Sequence, residues 1–362
     1  MSLYQHGLER YAADLPDAGT LVTLGEGGTP VLDLHDTARQ AGLGGLSAKM
    51  ESANPTGSYK DRVAAMSMSL ARHRGYAGWI ATSSGNAGMS LAAYGARAAL
   101  RGFLCLVSTA PAEKRLPLMP YGVELVAVRG TGDGATTAGA ELMAQVRAAA
   151  ERHKLYLGIT ANAFNPDGMR GIDTIGYELA EQLPDATHVY VPVGGGGLLT
   201  SLARGLAARA HPAKVVACQP TGCAPVVQFL DGEIGAPEVG RCDTMISALQ
   251  LPYPPDGPAA AAAVRASGGW GTHVSDDEIL MAQRRLAATE GVFVEPAAAA
   301  PLAAVLADAG RGRLGASDHP VLICTGAGWK DLGRFSEDAR RRAPTVGVVD
   351  VAARVAAWAG QS

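Results

Sequence analysis

Cysteine and charge are both scarce in this chain of 362 residues. The five cysteines, Cys105, Cys218, Cys223, Cys242 and Cys324, are scattered, odd in number and without a C-x-x-C pair. That argues against a disulfide framework or a zinc site, and for a chain that works reduced, in the cytoplasm. Charged residues make up only 18% and the formal net charge is -3, so no basic field is present to gather nucleic acid or an anionic membrane. No uninterrupted apolar run is long enough to span a bilayer, and residues 1–16 carry acidic residues early and no apolar core of signal-peptide length. Internal repeats are absent. What is there is a 48% hydrophobic chain, with ample material for buried sheets and helices and too long for one small core. Its length suggests about two domains. A small-molecule partner fits this balance best.

The N-terminal 45 residues read as an arm with a turn-rich stretch, LGEGGTPVLDL. Thereafter the pattern alternates. Apolar runs at 46–50, 79–82, 103–107, 123–128 and 156–160 predict strands, separated by helical stretches near 60–74, 86–100, 112–121 and 134–153. The alternation resumes with a helix near 171–182, strands at 188–193 and 215–219, and helices at 198–210 and 223–230. Residues 231–273 are richer in proline and glycine and read mainly as loop. Ser275 followed by Glu278 predicts a capping box opening a helix, and an alanine-rich helix (297–309) precedes a last strand at 320–324. The tail beyond about 343 has a helical look. Short apolar strands alternating with longer helices predict an α/β fold of two open, mainly parallel-sheet domains joined near 160–170. Ligands of such sheets sit in the cleft outside the carboxyl ends of the strands.

Four turns carry chemistry. In ESANPTGSYKDR, Lys60 follows the turn Asn54, Pro55, Thr56, Gly57 and opens a helix that Ser58 or Thr56 can cap. A lysine so held, if desolvated, becomes a nucleophile able to form a Schiff base; read alone, it is more simply one charge on a solvated helix face. In VPVGGGGLL, four glycines, Gly194, Gly195, Gly196 and Gly197, join a strand to a helix at Leu198. Their N–H groups and the helix dipole suit a phosphate, or the turn serves only close helix–sheet packing. Neither the dinucleotide fingerprint nor the lysine of a nucleotide loop is present. In ATSSGNAG, Thr82, Ser83, Ser84 and Asn86 suit a carboxylate or cap a helix. In CTGAGWKD, Thr325 offers one neutral hydroxyl to a buried ring nitrogen, or marks a turn.

Taken together, these turns describe a site for pyridoxal 5'-phosphate. NPTGSYKDR, TSSGNAG, VPVGGGGL, GVFVEPAAAA and CTGAGWKD, in that order, resemble the fold-type II (tryptophan synthase beta-like) pyridoxal phosphate enzymes, and within them threonine synthase and the serine/threonine dehydratases. LGEGGTP and SALQLPYP lean towards the synthase. The resemblance covers residues 20 to 335. It implies a larger domain (1–45 and 163–345) with the phosphate loop and a smaller one (46–162) with the lysine and the carboxylate turn. Lys60 would be the Schiff-base lysine and proton carrier, Asn86 would contact the ring hydroxyl, Gly194 to Leu198 would bind phosphate, and Thr325 would face the pyridine nitrogen. Thr82, Ser83 and Ser84 would grip the carboxylate of a small amino-acid substrate, with Glu295 close to the cofactor. A neutral hydroxyl at the pyridine nitrogen makes a mild electron sink, which favours loss of a leaving group over transamination. A homodimer is also implied.

The chain departs from the synthase pattern at RGTGDGATTAG (129–139), less rich in asparagine and aspartate, and at Asp167 and Gly168, where an arginine follows NP in threonine synthase. By that resemblance both departures would remove groups for the phosphate of O-phosphohomoserine; Arg170 either substitutes or is a surface arginine. Ala327 and Trp329 stand where histidine and leucine are usual. Three functions follow as expectations: a lyase working by elimination or elimination and replacement, with a dehydratase as its close variant; a non-catalytic pyridoxal phosphate-binding protein; and a nucleotide-binding α/β protein resting on the glycine turn alone.

Overall fold

In the computed structural model, which describes residues 7–83, 85–108, 115–130, 136–336 and 345–360, the apolar runs become strands. They are β1 (Val31–Asp33), β2 (Ser47–Lys49), β3 (Gly78–Thr82), β4 (Arg101–Val107), β5 (Glu124–Val128), β6 (Leu155–Leu157), β7 (His188–Pro192), β8 (Lys214–Pro220), β9 (Gly271–Val274) and β10 (Pro320–Ile323). One sheet runs β1-β2-β10-β7-β8-β9 and a second β5-β4-β3-β6. Every pairing is parallel except that of β1 with β2.

Parallel strands need crossovers, the crossovers are helices, and helices on both faces demand strands that are apolar throughout. β7 and β10 are accordingly buried at every position. Because successive side chains point to opposite faces, Tyr190, Val216, Cys218 and Leu322 pack on one side with the helices Asp276–Glu290 and Pro296–Gly310. Val189, Val191, Val215, Ala217, Val321 and Ile323 pack on the other with Asp173–Gln182, Gly197–Ala208 and Gly257–Ala266. The four-stranded sheet repeats the arrangement: Trp79, Ala81, Leu104 and Leu106 face the helices Lys60–His73 and Asn86–Arg97, while Ile80 and Cys105 face Thr136–His153. Each large side chain so buried contributes roughly 1.5–3 kcal/mol. The edge strand β5 is largely exposed.

Several expectations are corrected. The strand near 46–50 pairs with Val321–Ile323 in the six-stranded sheet, not with the four-stranded one, because Ala48 and Lys49 find fully buried places there. Residues 231–273 hold the helix Gly257–Ala266 and β9: Pro258 occupies the first turn, where its missing N–H costs nothing, and five alanines follow. Near 112–121, the described part is a 3-10 turn, Leu116–Tyr121, with Pro120 inside it. Cys223 and Cys242 form a disulfide, against the expectation of a fully reduced chain, while Cys105, Cys218 and Cys324 are free and buried. The capping box at Ser275 and Glu278 is present as expected. Residues through Lys330 make one compact unit and Asp331–Ser362 another. The latter contains the helix Val351–Ala359, exposed along its described length.

Candidate active site

Lys60 is the first residue of its helix, and the turn before it is fixed from several sides. Asn54 donates to the Glu51 carboxylate at 2.9 Å and accepts from the Gly27 N–H at 2.9 Å, and the Gly57 N–H closes the turn on the Asn54 carbonyl at 2.7 Å. Gly57 has φ +80, and a Cβ there would meet Trp329 at 2.7 Å, so both conformation and space require glycine. Neither Ser58 nor Thr56 caps the helix as expected. Asp61 instead reaches back, accepting from the Thr56 N–H at 2.6 Å and from its hydroxyl. The Thr56 hydroxyl also meets Ser90, at 3.0 Å, which ties the lysine turn to the helix that carries Asn86. Burial pushes the Asp61 carboxyl up, with hydrogen bonds from Ser90 and Thr56 opposing.

Two residues on from Lys60, Arg62 is fully buried. Its guanidinium forks onto Glu51 (2.8 and 2.7 Å) and onto Glu178 (2.6 and 2.8 Å), and donates to Thr174 at 2.8 Å. Lys49 adds a bond to Glu178 at 2.6 Å. Two cations and two anions thus compensate each other away from water, as buried charges must. Burial alone would raise Glu178, but Arg62 and Lys49 hold its carboxyl down at about 2. The charges of ESANPTGSYKDR are therefore mostly an internal lattice that locks the first turn of the lysine helix, rather than a solvated face.

The Lys60 ammonium donates to Thr160 Oγ1 at 2.9 Å and stands 4.6 Å from the centre of the Tyr59 ring. Thr160 follows β6 and adjoins the glycine turn, since a Cβ on Gly197 would lie 3.5 Å from its carbonyl oxygen. In that turn Gly196 has φ +89 and a Cβ there would sit 2.7 Å from the Asp256 carbonyl oxygen, while one on Gly194 would sit 2.7 Å from that of Ala248. The helix begins at Gly197, with Leu198 buried in its first turn. Asp256 stitches this region together: its N–H donates to the Gly195 carbonyl at 2.9 Å, and its carboxylate accepts from the N–H groups of Asn162 (2.7 Å) and Ala163 (3.0 Å).

On the other side, the last glycine turn is laced to the lysine turn. The Tyr59 N–H donates to the carbonyl of buried Thr325 at 3.1 Å, and the Ala327 N–H to that of Gly57 at 2.9 Å. Asn86 opens its helix, and its amide donates to both oxygens of Glu295, at 2.9 and 3.1 Å, while accepting from Lys330 at 2.9 Å. Gly326 makes room for this pair, since a Cβ there would fall 2.2 Å from Glu295 Oε1. The structure therefore brings Lys60, Asn86, Thr325 and the glycine turn into one chain of contacts. Thr82 lies at the carboxyl end of β3 with its hydroxyl 3.8 Å from the Met143 sulfur, and the Ser83 hydroxyl accepts from the Gly85 N–H at 3.2 Å. Ser84 lies outside the described residues, as does part of the 129–139 stretch. Arg170 pairs with Asp173 at 2.6 Å and with the Asp14 carbonyl at 3.1 Å.

The sequence alone missed Thr160, Asp256 and Lys330, although each stands where a signal existed: at the end of a predicted strand, inside the LPYPPDGP loop, and within CTGAGWKD. The donors suit pyridoxal phosphate: an amine, a helix N-terminus behind four glycines, an amide and a hydroxyl. One further group fits. Ser58 Oγ, fully buried and two residues before Lys60, has no hydrogen-bond partner among the described residues, and a buried hydroxyl in that state costs about 1–3 kcal/mol unless an acceptor or donor arrives.

Comparison with known proteins agrees. Residues 22–326 match the family described as pyridoxal-phosphate dependent enzyme. Threonine synthase of Methanosarcina acetivorans is 33% identical over 336 residues, 89% of this chain and 80% of that protein, and that of Methanocaldococcus jannaschii 32% identical over 339 residues, 90% and 81%. The solved structure of threonine deaminase isoform 2 from Solanum lycopersicum superposes with a TM-score of 0.71 at 22% identity, covering 92% of this chain and 84% of that one, which establishes the shared fold. The chain belongs to the pyridoxal-phosphate dependent enzymes of fold type II.

Proposed function

We propose that this enzyme acts on a small amino acid by elimination, or by elimination and replacement in the manner of a threonine synthase, with Lys60 as the amine that carries the cofactor and then the proton. The observation that carries this reading is the setting of Lys60, an ammonium held at 2.9 Å by Thr160 on the first turn of a helix anchored through Arg62. When bound, pyridoxal phosphate supplies an electron sink that acidifies the α-proton of an attached amino acid. The protein's part is positional. The glycine turn offers free N–H groups and the positive end of the Gly197–Ala208 helix to the phosphate. Thr325 would offer a neutral hydroxyl to the ring nitrogen, and Asn86 an amide to the ring hydroxyl. Thr82 and Ser83, at the carboxyl end of β3, would take the substrate carboxylate, with Ser84 as the third group on the sequence reading. Lys60, once released, stands as the general base, with Thr160 holding its nitrogen in place.

A serine/threonine dehydratase is the second reading, favoured by one observation. Arg170, the residue that would compensate for the missing arginine after NP, is already engaged by Asp173 and Asp14, and Asp167 pairs with Arg74. A homodimer and a cytoplasmic setting belong to the same reading, on the family resemblance and the low cysteine content respectively. The Cys223–Cys242 bond counts against a fully reduced chain. Among the described residues, no helix is long and apolar enough to cross a membrane. The two catalytic readings separate in a spectral titration of the holoenzyme with serine, threonine, homoserine and O-phosphohomoserine. A response with turnover to the phosphate ester supports the synthase, one confined to serine or threonine supports the dehydratase, and silence to all four would leave a non-catalytic binder.

A further inference from the structure

Lys330 belongs to none of the roles above, yet it reaches the centre of the site. Its 3-10 turn, Gly328–Lys330, is tied down by the Gly328 N–H to the Phe293 carbonyl at 3.1 Å and by the Lys330 N–H to that of Ala327 at 3.2 Å. From there its stem crosses the lysine turn: a Cβ on Gly57 would lie 3.1 Å from Lys330 Cε. The ammonium ends 2.9 Å from Asn86 Oδ1, and Asn86 Nδ2 faces both oxygens of Glu295. An ammonium only donates and a carboxylate only accepts. These two neighbours on opposite sides of the amide therefore leave it a single orientation, oxygen towards Lys330 and nitrogen towards Glu295. The charged groups acting on Lys330 are Glu295 and Asp61. Burial lowers its proton affinity, and both carboxylates oppose that.

We propose that Lys330 is a positioning residue that sets the ionisation of the cofactor's ring hydroxyl through Asn86. By holding Oδ1 it keeps Nδ2 on the Glu295 side of the amide, and its charge polarises the amide so that a Nδ2 hydrogen shared with the ring oxygen would be donated more strongly to an ionised oxygen than to a neutral hydroxyl. Lys330 does this without touching the ring. The inference rests on the pyridoxal phosphate site proposed above.

The test uses the holoenzyme and the absorption spectrum of its bound cofactor across a pH series below the titration of the Schiff-base nitrogen, where the long-wavelength band reports the ionised ring hydroxyl and the near-ultraviolet band the neutral one. Lys330→Met is expected to shift the ratio of the two bands towards the near-ultraviolet by about fivefold near neutral pH, the scale of one lost charge-assisted hydrogen bond. Lys330→Gln, which keeps an N–H donor to Asn86 without the charge, is expected to fall between, and Lys330→Arg to restore the wild-type ratio. In an Asn86→Ala background, Lys330→Met is expected to add no further shift. If Lys330→Met does not fold, the Gln and Arg variants carry the comparison. Band ratios in the Met or Gln variant equal to wild type, or an undiminished shift in the Asn86→Ala background, would overturn the role of Lys330. A wild-type protein with no visible cofactor band would overturn the underlying site instead.

Discussion

At the scale of the residue, the pairing of Lys60 with Thr160 shows how a neutral neighbour suits a group that must change its protonation state. A hydroxyl accepts from an ammonium and donates to an amine lone pair with equal ease, so Thr160 holds the Lys60 nitrogen in both forms, which a carboxylate would not do. Thr160→Val is expected to leave cofactor attachment intact and to lower kcat by roughly tenfold to a hundredfold with little change in KM, as a general base loosened from its position does. Steady-state kinetics on the substrate identified by the titration checks this. Lys60→Ala is expected to abolish attachment altogether: borohydride reduction followed by peptide mass analysis should find the cofactor on the peptide containing residue 60 in the wild type and nowhere in the variant. Glycine at 196 is a second point requirement. Its φ of +89 and the Asp256 carbonyl oxygen 2.7 Å from a would-be Cβ put an alanine there at a cost of about 1–3 kcal/mol. Gly196→Ala is expected to weaken cofactor binding by roughly five- to a hundredfold in equilibrium dialysis.

At the scale of the element, the helix Lys60–His73 explains what was legible in the sequence and what was not. Its start was visible because proline and glycine punctuate the turn before it, and β7 and β10 were visible because a parallel sheet covered on both faces needs unbroken apolar runs. The order of the four turns identified the cofactor because each falls at the end of a strand. Hidden from view was the fate of the charges. Arg62 looks like a surface residue until Glu178, 116 positions on, is placed against it, and no local pattern announces a partner at that separation. The helix Gly257–Ala266 was masked by the prolines before it and in its first turn. The disulfide joins two cysteines 19 residues apart that share no motif, and β1 is three residues long. Conversely, the cap expected from Ser58 or Thr56 is absent, because the Thr56 hydroxyl is turned to Asp61 and not to a helix N–H. The lattice yields its own prediction. Arg62→Met removes the shared partner of Glu51 and Glu178 and leaves two buried carboxylates facing each other, so it is expected to lower stability by about 3–5 kcal/mol in urea unfolding and to release the turn that presents Lys60.

At the scale of the whole molecule, the same lattice joins pieces distant in sequence: Thr29 in the N-terminal arm, Lys49 on β2, Glu51 and Arg62 around the lysine turn, and Thr174 and Glu178 on a helix against the six-stranded sheet. The lattice therefore couples the lysine helix of the four-stranded half to the core of the six-stranded half, and its protonation acts on both. Glu178 is the group through which acid reaches it. Its folded carboxyl is held at about 2, below the ordinary value of 4.5. A depressed carboxyl contributes stability that is fully present above the unfolded value and is lost as pH falls through the folded one. The unfolding free energy is accordingly expected to decline between pH 4.5 and about 2, by an amount on the order of 3 kcal/mol from this group, with both halves unfolding together because Arg62 and Lys49 lose the anion they share at once. Glu178→Gln is expected to be less stable at neutral pH and to show a flatter acid limb. Urea unfolding followed by circular dichroism at a series of pH values checks both. An acid limb equally steep in the variant would place the acid-sensitive coupling elsewhere in the molecule.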